Sequence, residues 1–309
     1  MGNKSAGTDF ILLGLTDRQE LQTVILVLFL LIYITTVLGN VGITLLIIMS
    51  PKLHSPMYFF IMNLSFVELG YSTCIVPKML VSLASGSQSI SFIGCGAQFY
   101  LFASLVISEL YILLIMSFDR YMAICYPLHY TRQMSPRFCV LLVAISHSYG
   151  FTDAMTQTVL TFCLPYCGSR EIQGFFCSDP SLLKLACGDL RVKQTLILIS
   201  AAFNLSITSL GISLSYMFII SAILRIRSAE ARRKTFSTCS SHLVSVFIFY
   251  GSLCFMYLRP SSEQSMDQDK VVTVFYTVII PMLNPMIYSL RTREVKEALK
   301  NAIQRKLTS

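Results

Sequence analysis

The chain has 309 residues, of which 54% are hydrophobic and only 13% charged, with a mean hydropathy of +0.65. A soluble domain carries roughly a quarter charged residues, so most of this surface must face lipid, and a water-soluble globule is excluded. The formal charge of +8 does not indicate nucleic acid either, because the bases are scattered over short loops with no soluble domain to gather them.

A helix needs about 20 apolar residues to cross the bilayer core. Seven such runs are predicted, at 23–49, 57–80, 93–118, 139–162, 195–224, 237–258 and 271–290. The expected fold is therefore all-α, a seven-helix membrane bundle forming one domain over 1–309. Residues 1–22 form a tail in which Asn3-Lys4-Ser5 is a glycosylation sequon; the sequons at Asn63 and Asn204 fall inside spans, out of the enzyme's reach. FILLGL (10–15) is too short for a signal-peptide core, so the first span acts as its own targeting signal.

The first span carries Gly39-Asn40 and is followed by LHSPMYFF (53–60); the second encloses Glu68. Cys95 opens the third span, which contains Glu109 and ends in MSFDRYMAIC (116–125). The fourth is the weakest, interrupted by His147 and Asp153. Behind it, Cys167, Cys177 and Cys187 recur at ten-residue intervals, and with Cys95 they suggest two disulfides on an oxidising side. Spacing does not decide how they connect. The fifth span holds Ser215-Tyr216, and the basic loop RIRSAEARRK (225–234) leads into KTFSTCSSHL (234–243). The seventh ends in PMLNPMIYSL (281–290), and residues 291–309 form a tail with a short amphipathic helix.

Charge sets the orientation. The loops after spans one, three and five together with the C-terminal tail hold 15 of the 24 Lys and Arg residues and only four acids; the opposite side holds nine bases and ten acids, Asp153 included. The positive-inside rule then places the C-terminus in the cytosol and the N-terminus outside.

The strings Gly39-Asn40, LHSPMYFF, MSFDRYMAIC, Ser215-Tyr216, KTFSTCSSHL and PMLNPMIYSL occur in this order, and together they resemble an olfactory receptor of the rhodopsin-like, G-protein-coupled class. The resemblance covers nearly the whole chain. It departs at Met116-Ser117-Phe118, at Gly174, where the family commonly has a His that could assist metal-dependent ligand binding, and at Thr292, where an Asn is common. It implies an odorant ligand, a stimulatory heterotrimeric G protein raising cyclic AMP, and a place in the plasma membrane of olfactory sensory cilia. It also implies the pairing Cys95–Cys177, leaving Cys167–Cys187, with Cys95–Cys187 as the alternative.

Arg120 is always charged and costly to bury without a partner. The resemblance implies an activation switch in which Asp119 holds Arg120 in the closed state. Tyr121 completes the triplet, Tyr216 and Tyr288 are partners for the opened state, and Asn284-Pro285 breaks the seventh helix locally. Glu109 lies eleven residues before Arg120, about three turns, so both occupy one face. Glu68 and Glu109 could share a proton or hold Na⁺, and the resemblance favours the cation. No other cofactor is expected.

Up the same face of the third span come Val106 and Phe102, flanked by Ala103 and Ile107. Tyr250, Leu253, Cys254 and Tyr257 recur at three- and four-residue spacing in the sixth. Ser200, Asn204 and Thr277 complete a mainly apolar pocket, with Asn204, Tyr250 and Tyr257 as its polar anchors. With no fixed charge expected at that depth, neutral organic molecules are favoured over amines or carboxylates. A chemoreceptor of the same fold for a non-odorant metabolite is the alternative. A transporter or channel would be expected to show half-repeats or a polar ring, and the chain shows no obvious sign of either. An enzyme is not expected, because His54, His129, His147 and His242 form neither a metal spacing nor a triad.

Overall fold

The computed structural model describes residues 9–16, 18–257, 266–291 and 293–308. Asn3 lies outside them, as does the side chain of Tyr257. The helices are α1 (Gln19–Met49), α2 (Pro56–Ser85), α3 (Phe92–Cys125), α4 (Pro127–Gln133), α5 (Pro136–Phe162), α6 (Asp179–Leu183), α7 (Arg191–Leu224), α8 (Ala229–Tyr257), α9 (Met266–Val274), α10 (Ile280–Arg291) and α11 (Arg293–Thr308). A π-helical turn, Phe275–Ile279, joins α9 to α10 into one continuous rod. Among the described residues six helical rods are long and apolar enough to cross a membrane, and the shorter apolar stretch Cys239–Phe255 within α8 is the seventh. α4, α6 and α11 are connecting or terminal pieces.

Local chemistry sets the helix ends. Ser91 caps α3 by accepting the Gly94 N–H at 3.0 Å, Ser135 caps α5, and Gly86 ends α2 in the left-handed conformation that glycine adopts without strain. Proline opens α2, α4 and α5, where its missing N–H costs nothing. Within the rods, hydroxyls such as those of Thr36, Thr44, Ser104 and Thr208 donate back to a carbonyl one turn earlier, which satisfies them in a solvent without water.

The burial pattern separates lipid-facing from bundle-facing sides. In α1 the buried residues Phe29, Thr36, Asn40, Ile43 and Ile47 form one stripe, whereas Leu38 on the other side is 68% exposed. α3 is the central helix, packed by α2, α5 and α7. Its contact with α5 is made by small residues: a methyl group on Gly150 would lie 2.6 Å from Ser108 Oγ and 2.7 Å from the Ser104 carbonyl oxygen.

The helical bundle carries one small sheet in addition, and the segment before the first span supplies its central strand. β1 (Phe10–Leu12) lies between β2 (Ser89–Ile90), antiparallel, and β3 (Glu171–Ile172), parallel. Phe10 and Leu12 point inward against Cys95, Phe99, Cys177 and Leu182, while Ile11 faces out. Phe10 meets the rings of Phe92 and Tyr166 at 5.9 and 5.4 Å. The Tyr166 hydroxyl, pushed up to about 12 by burial and then by the nearby Asp179 carboxylate, keeps its proton and donates to the Thr161 carbonyl.

Two disulfides close this end of the molecule. Cys95 is bonded to Cys177 and Cys167 to Cys187, with Cα atoms 5.6 and 5.9 Å apart. The first ties the N-terminal turn of α3 to the loop that carries β3 and α6. Cys95–Cys187 does not form. At the other end, α11 buries Val295 and Ala298, and the Tyr58 hydroxyl of α2 donates to Glu294.

Candidate functional site

A cavity of about 120 Å³ lies beside the disulfide-bonded loop, between α3, α5, α6 and α7. Its size compares with that of an engineered apolar cavity of about 150 Å³ that takes up benzene. α3 supplies Phe102, Ala103, Val106 and Ile107 from one face, because their three- and four-residue spacing brings them to the same side. α7 supplies Ser200 and Asn204 one turn apart, and α8 supplies Leu253. These seven were expected from sequence. Tyr250, Cys254 and Thr277 are not among the lining residues. Tyr250 packs into the main core, and Thr277 is fully buried, its hydroxyl donating to the Thr273 carbonyl at 2.7 Å. Tyr276, inside the π-helical turn, lines the cavity, and the neighbouring Thr277 does not.

The expectation of no fixed charge at this depth is overturned. Asp153 of α5 and Asp179 of α6 both line the cavity, with Gln157 between them. Asp179 pairs with Lys193 of α7 at 3.5 Å and accepts the Thr161 hydroxyl at 2.8 Å. Burial pushes the Asp179 carboxyl up from its ordinary range, and the Lys193 ammonium pulls it back. Lys193 itself is only 4% exposed and donates to the carbonyl and the side-chain oxygen of Gln157. Asp153 accepts the Ser200 hydroxyl, at 3.0 and 3.2 Å to its two oxygens. In the sequence, Asp153 read as a defect in a weak span and Asp179 and Lys193 as loop charges. Only the helix packing puts them on one cavity.

At the basic end of α3 the expected Asp119–Arg120 pair is absent: no ion pair joins them among the described residues. Adjacent helical residues point about 100° apart, so Asp119 and Arg120 leave α3 in different directions. The Tyr130 hydroxyl of α4 donates to Asp119 Oδ1 at 2.8 Å. One terminal nitrogen of Arg120 is buried with no hydrogen-bond partner among the described residues. The guanidinium's field reaches Tyr216, His242 and Tyr288. Tyr216 is held by His242, its hydroxyl 2.8 Å from Nδ1; the other ring nitrogen lies 3.1 Å from the Leu113 carbonyl oxygen. That pattern fits a neutral imidazole that donates from Nε2 and accepts the tyrosine proton at Nδ1. Tyr121 lies on the outer side, its ring 5.7 Å from that of Phe218. Tyr130 and His242 are the residues that sequence reasoning missed here. His242 sits inside KTFSTCSSHL, three residues after a cysteine, with nothing in its spacing to indicate a tyrosine across the bundle.

Between the two ends, Glu68 and Glu109 are both buried and within electrostatic reach of each other. Asn284 donates to Glu68, and both Glu109 oxygens lack a normal hydrogen bond among the described residues. Only the Glu109 carboxyl has both oxygens without a partner among the described residues, because Glu68 is engaged by Asn284. No group of three or more His, Cys, Asp or Glu able to hold a metal occurs among the described residues. Asn40 of α1 donates to the Pro281 carbonyl at 2.9 Å. Pro285 has no N–H to offer that carbonyl, so the asparagine takes the place of the missing helical bond.

The family model described as olfactory receptor matches residues 29–306. Among similar proteins, mouse olfactory receptor 5M5 is 50% identical, over 100% of this chain and 97% of its own length. Human olfactory receptor 8U9 is 54% identical, over 96% of each chain. Human olfactory receptor 5M11 is 48% identical, over 98% of this chain and 99% of its own.

Proposed function

The chain belongs to the olfactory receptor family of multi-pass, G-protein-coupled receptors, which are not enzymes, and from that premise we propose that it binds a small organic odorant in the cavity beside the disulfide-bonded loop and activates a stimulatory G protein from the opposite end. The N-terminus is outside and the C-terminus cytosolic, in the plasma membrane of olfactory sensory cilia. The observation that carries this reading is the continuity of α3. Val106 lines the cavity and Arg120 follows it fourteen residues along the same unbroken helix, a rise of about 21 Å.

A ligand shifts the receptor only through a difference in affinity between two arrangements. In the closed arrangement Tyr130 holds Asp119, His242 holds Tyr216, and Arg120 keeps one buried nitrogen without a partner among the described residues. Opening moves α8 away from α3, breaks the His242–Leu113 contact, and frees Tyr216 to turn toward Arg120. The buried nitrogen of Arg120, which has no partner among the described residues, gives that movement a gain, since it acquires a hydroxyl. Glu68 and Glu109 hold Na⁺ in the closed state.

Arg120→Ala tests the switch. The variant is expected to reach the cell surface and to give no cyclic AMP response to an odorant that activates the wild type. A normal response would overturn the assignment.

A further inference from the structure

We propose that the cavity selects small organic amines in their protonated form, with the Asp153 carboxylate as counter-ion; this rests on reading the cavity as the ligand site. The hydrogen bonds around it run in one direction. Tyr111 donates to Asn204 Oδ1 at 2.9 Å, and Asn204 donates to the Ser200 carbonyl at 2.9 Å and to Ser200 Oγ at 3.3 Å. Ser200 in turn donates to Asp153. Each proton in the relay points toward the carboxylate, where the relay ends.

An ionised carboxylate offers about four acceptor positions, and the single Ser200 proton is shared between its two oxygens. No ion pair to Asp153 occurs among the described residues. Lys193 feels the Asp153 charge, but its ammonium is committed to Asp179 and Gln157. Two carboxylates thus line the cavity with one ammonium between them, and that ammonium is bonded to the other acid. Val106, Ile107 and Ile197 contribute hydrocarbon to the cavity wall, beside the polar Gln157 and Asn204.

Such a site favours one ligand chemistry. A protonated amine gives Asp153 a charge-assisted hydrogen bond, stronger than the neutral bond an alcohol gives, and the apolar wall strengthens it by excluding water. A carboxylate ligand meets like charge. The volume sets the size at about that of a six-membered ring.

The experiment uses the purified full-length receptor in lipid nanodiscs and three congeners of one shape: cyclohexylamine, cyclohexanol and methylcyclohexane. Affinities come from the concentration dependence of thermal stabilisation. Cyclohexylamine is expected to bind at least about tenfold more tightly than cyclohexanol. Asp153→Asn should erase that preference, so that cyclohexylamine and cyclohexanol bind within about threefold of each other. Asp153→Glu, which keeps the charge, should retain the preference. Cyclohexanol binding as tightly as cyclohexylamine to the wild type overturns the amine inference but leaves the cavity as the ligand site. An Asp153→Asn receptor that still prefers the amine overturns the role of Asp153. Binding by none of the three overturns both readings. The wild-type comparison decides the question even where a variant fails to fold.

Discussion

The bond from Asn40 to the Pro281 carbonyl can be tested quantitatively. In Asn40→Ala the carbonyl, which Pro285 leaves without its helical donor, is buried with no partner. Stranding a buried acceptor costs about 1–3 kcal/mol. At about 2.1 cal/mol/K of unfolding entropy per residue over 309 residues, about 2 kcal/mol corresponds to an apparent melting shift of about 3 °C. The assay is thermal unfolding of the purified receptor in nanodiscs, with a thiol-reactive dye reporting exposure of the buried Cys139 and Cys239. Truncation also removes packing atoms, so the decisive measurement is a double-mutant cycle with Pro285→Ala. An alanine at 285 supplies the N–H that the carbonyl lacks, and Asn40→Ala in that background should lose little beyond packing. A coupling of about 1 kcal/mol or more is expected. Equal costs in the two backgrounds would refute the reasoning, whatever their size.

Further outcomes follow from neighbouring contacts. Gly150→Ala forces a methyl group against the Ser104 carbonyl, and should cost about 1–3 kcal/mol, read as a lower unfolding midpoint. Tyr130→Phe removes the hydroxyl from buried Asp119; ligand-independent cyclic AMP should rise, and an unchanged basal level would count against a closed-state role for that bond. Lys193→Met leaves Asp179 buried without its cation, at a cost of about 3–5 kcal/mol. The double replacement Lys193→Met with Asp179→Leu should recover most of it, as judged by surface expression and unfolding midpoint. Glu109→Gln should abolish any dependence of signalling on sodium in place of potassium; a salt dependence identical to that of the wild type would remove the cation from Glu68 and Glu109.

The sequence by itself determined the class of object. Seven apolar runs set the number of crossings, because a backbone in hydrocarbon has to satisfy its own hydrogen bonds and therefore coils. The ordered strings from LHSPMYFF to PMLNPMIYSL pointed to the family, and helical periodicity put Phe102, Ala103, Val106, Ile107, Ser200, Asn204 and Leu253 on the cavity. Periodicity tells which side of one helix a residue occupies. It says nothing about what stands opposite.

Every correction lies on that second question. Asp119 and Arg120 are neighbours in the chain, yet the helix turns their side chains apart, and a tyrosine from another helix takes the carboxylate. Phe10 and Leu12 gave no strand signal in an unbroken apolar triplet, and became a strand because two loops bring edges to it. Tyr276, and not the adjacent Thr277, lines the cavity beside α3 and α7. Asp153, Asp179 and Lys193 come from three separate elements, and only their packing makes one electrostatic site with one carboxylate left over. Charge interactions depend on distance through space, so the preference of the cavity is a property of the tertiary structure alone.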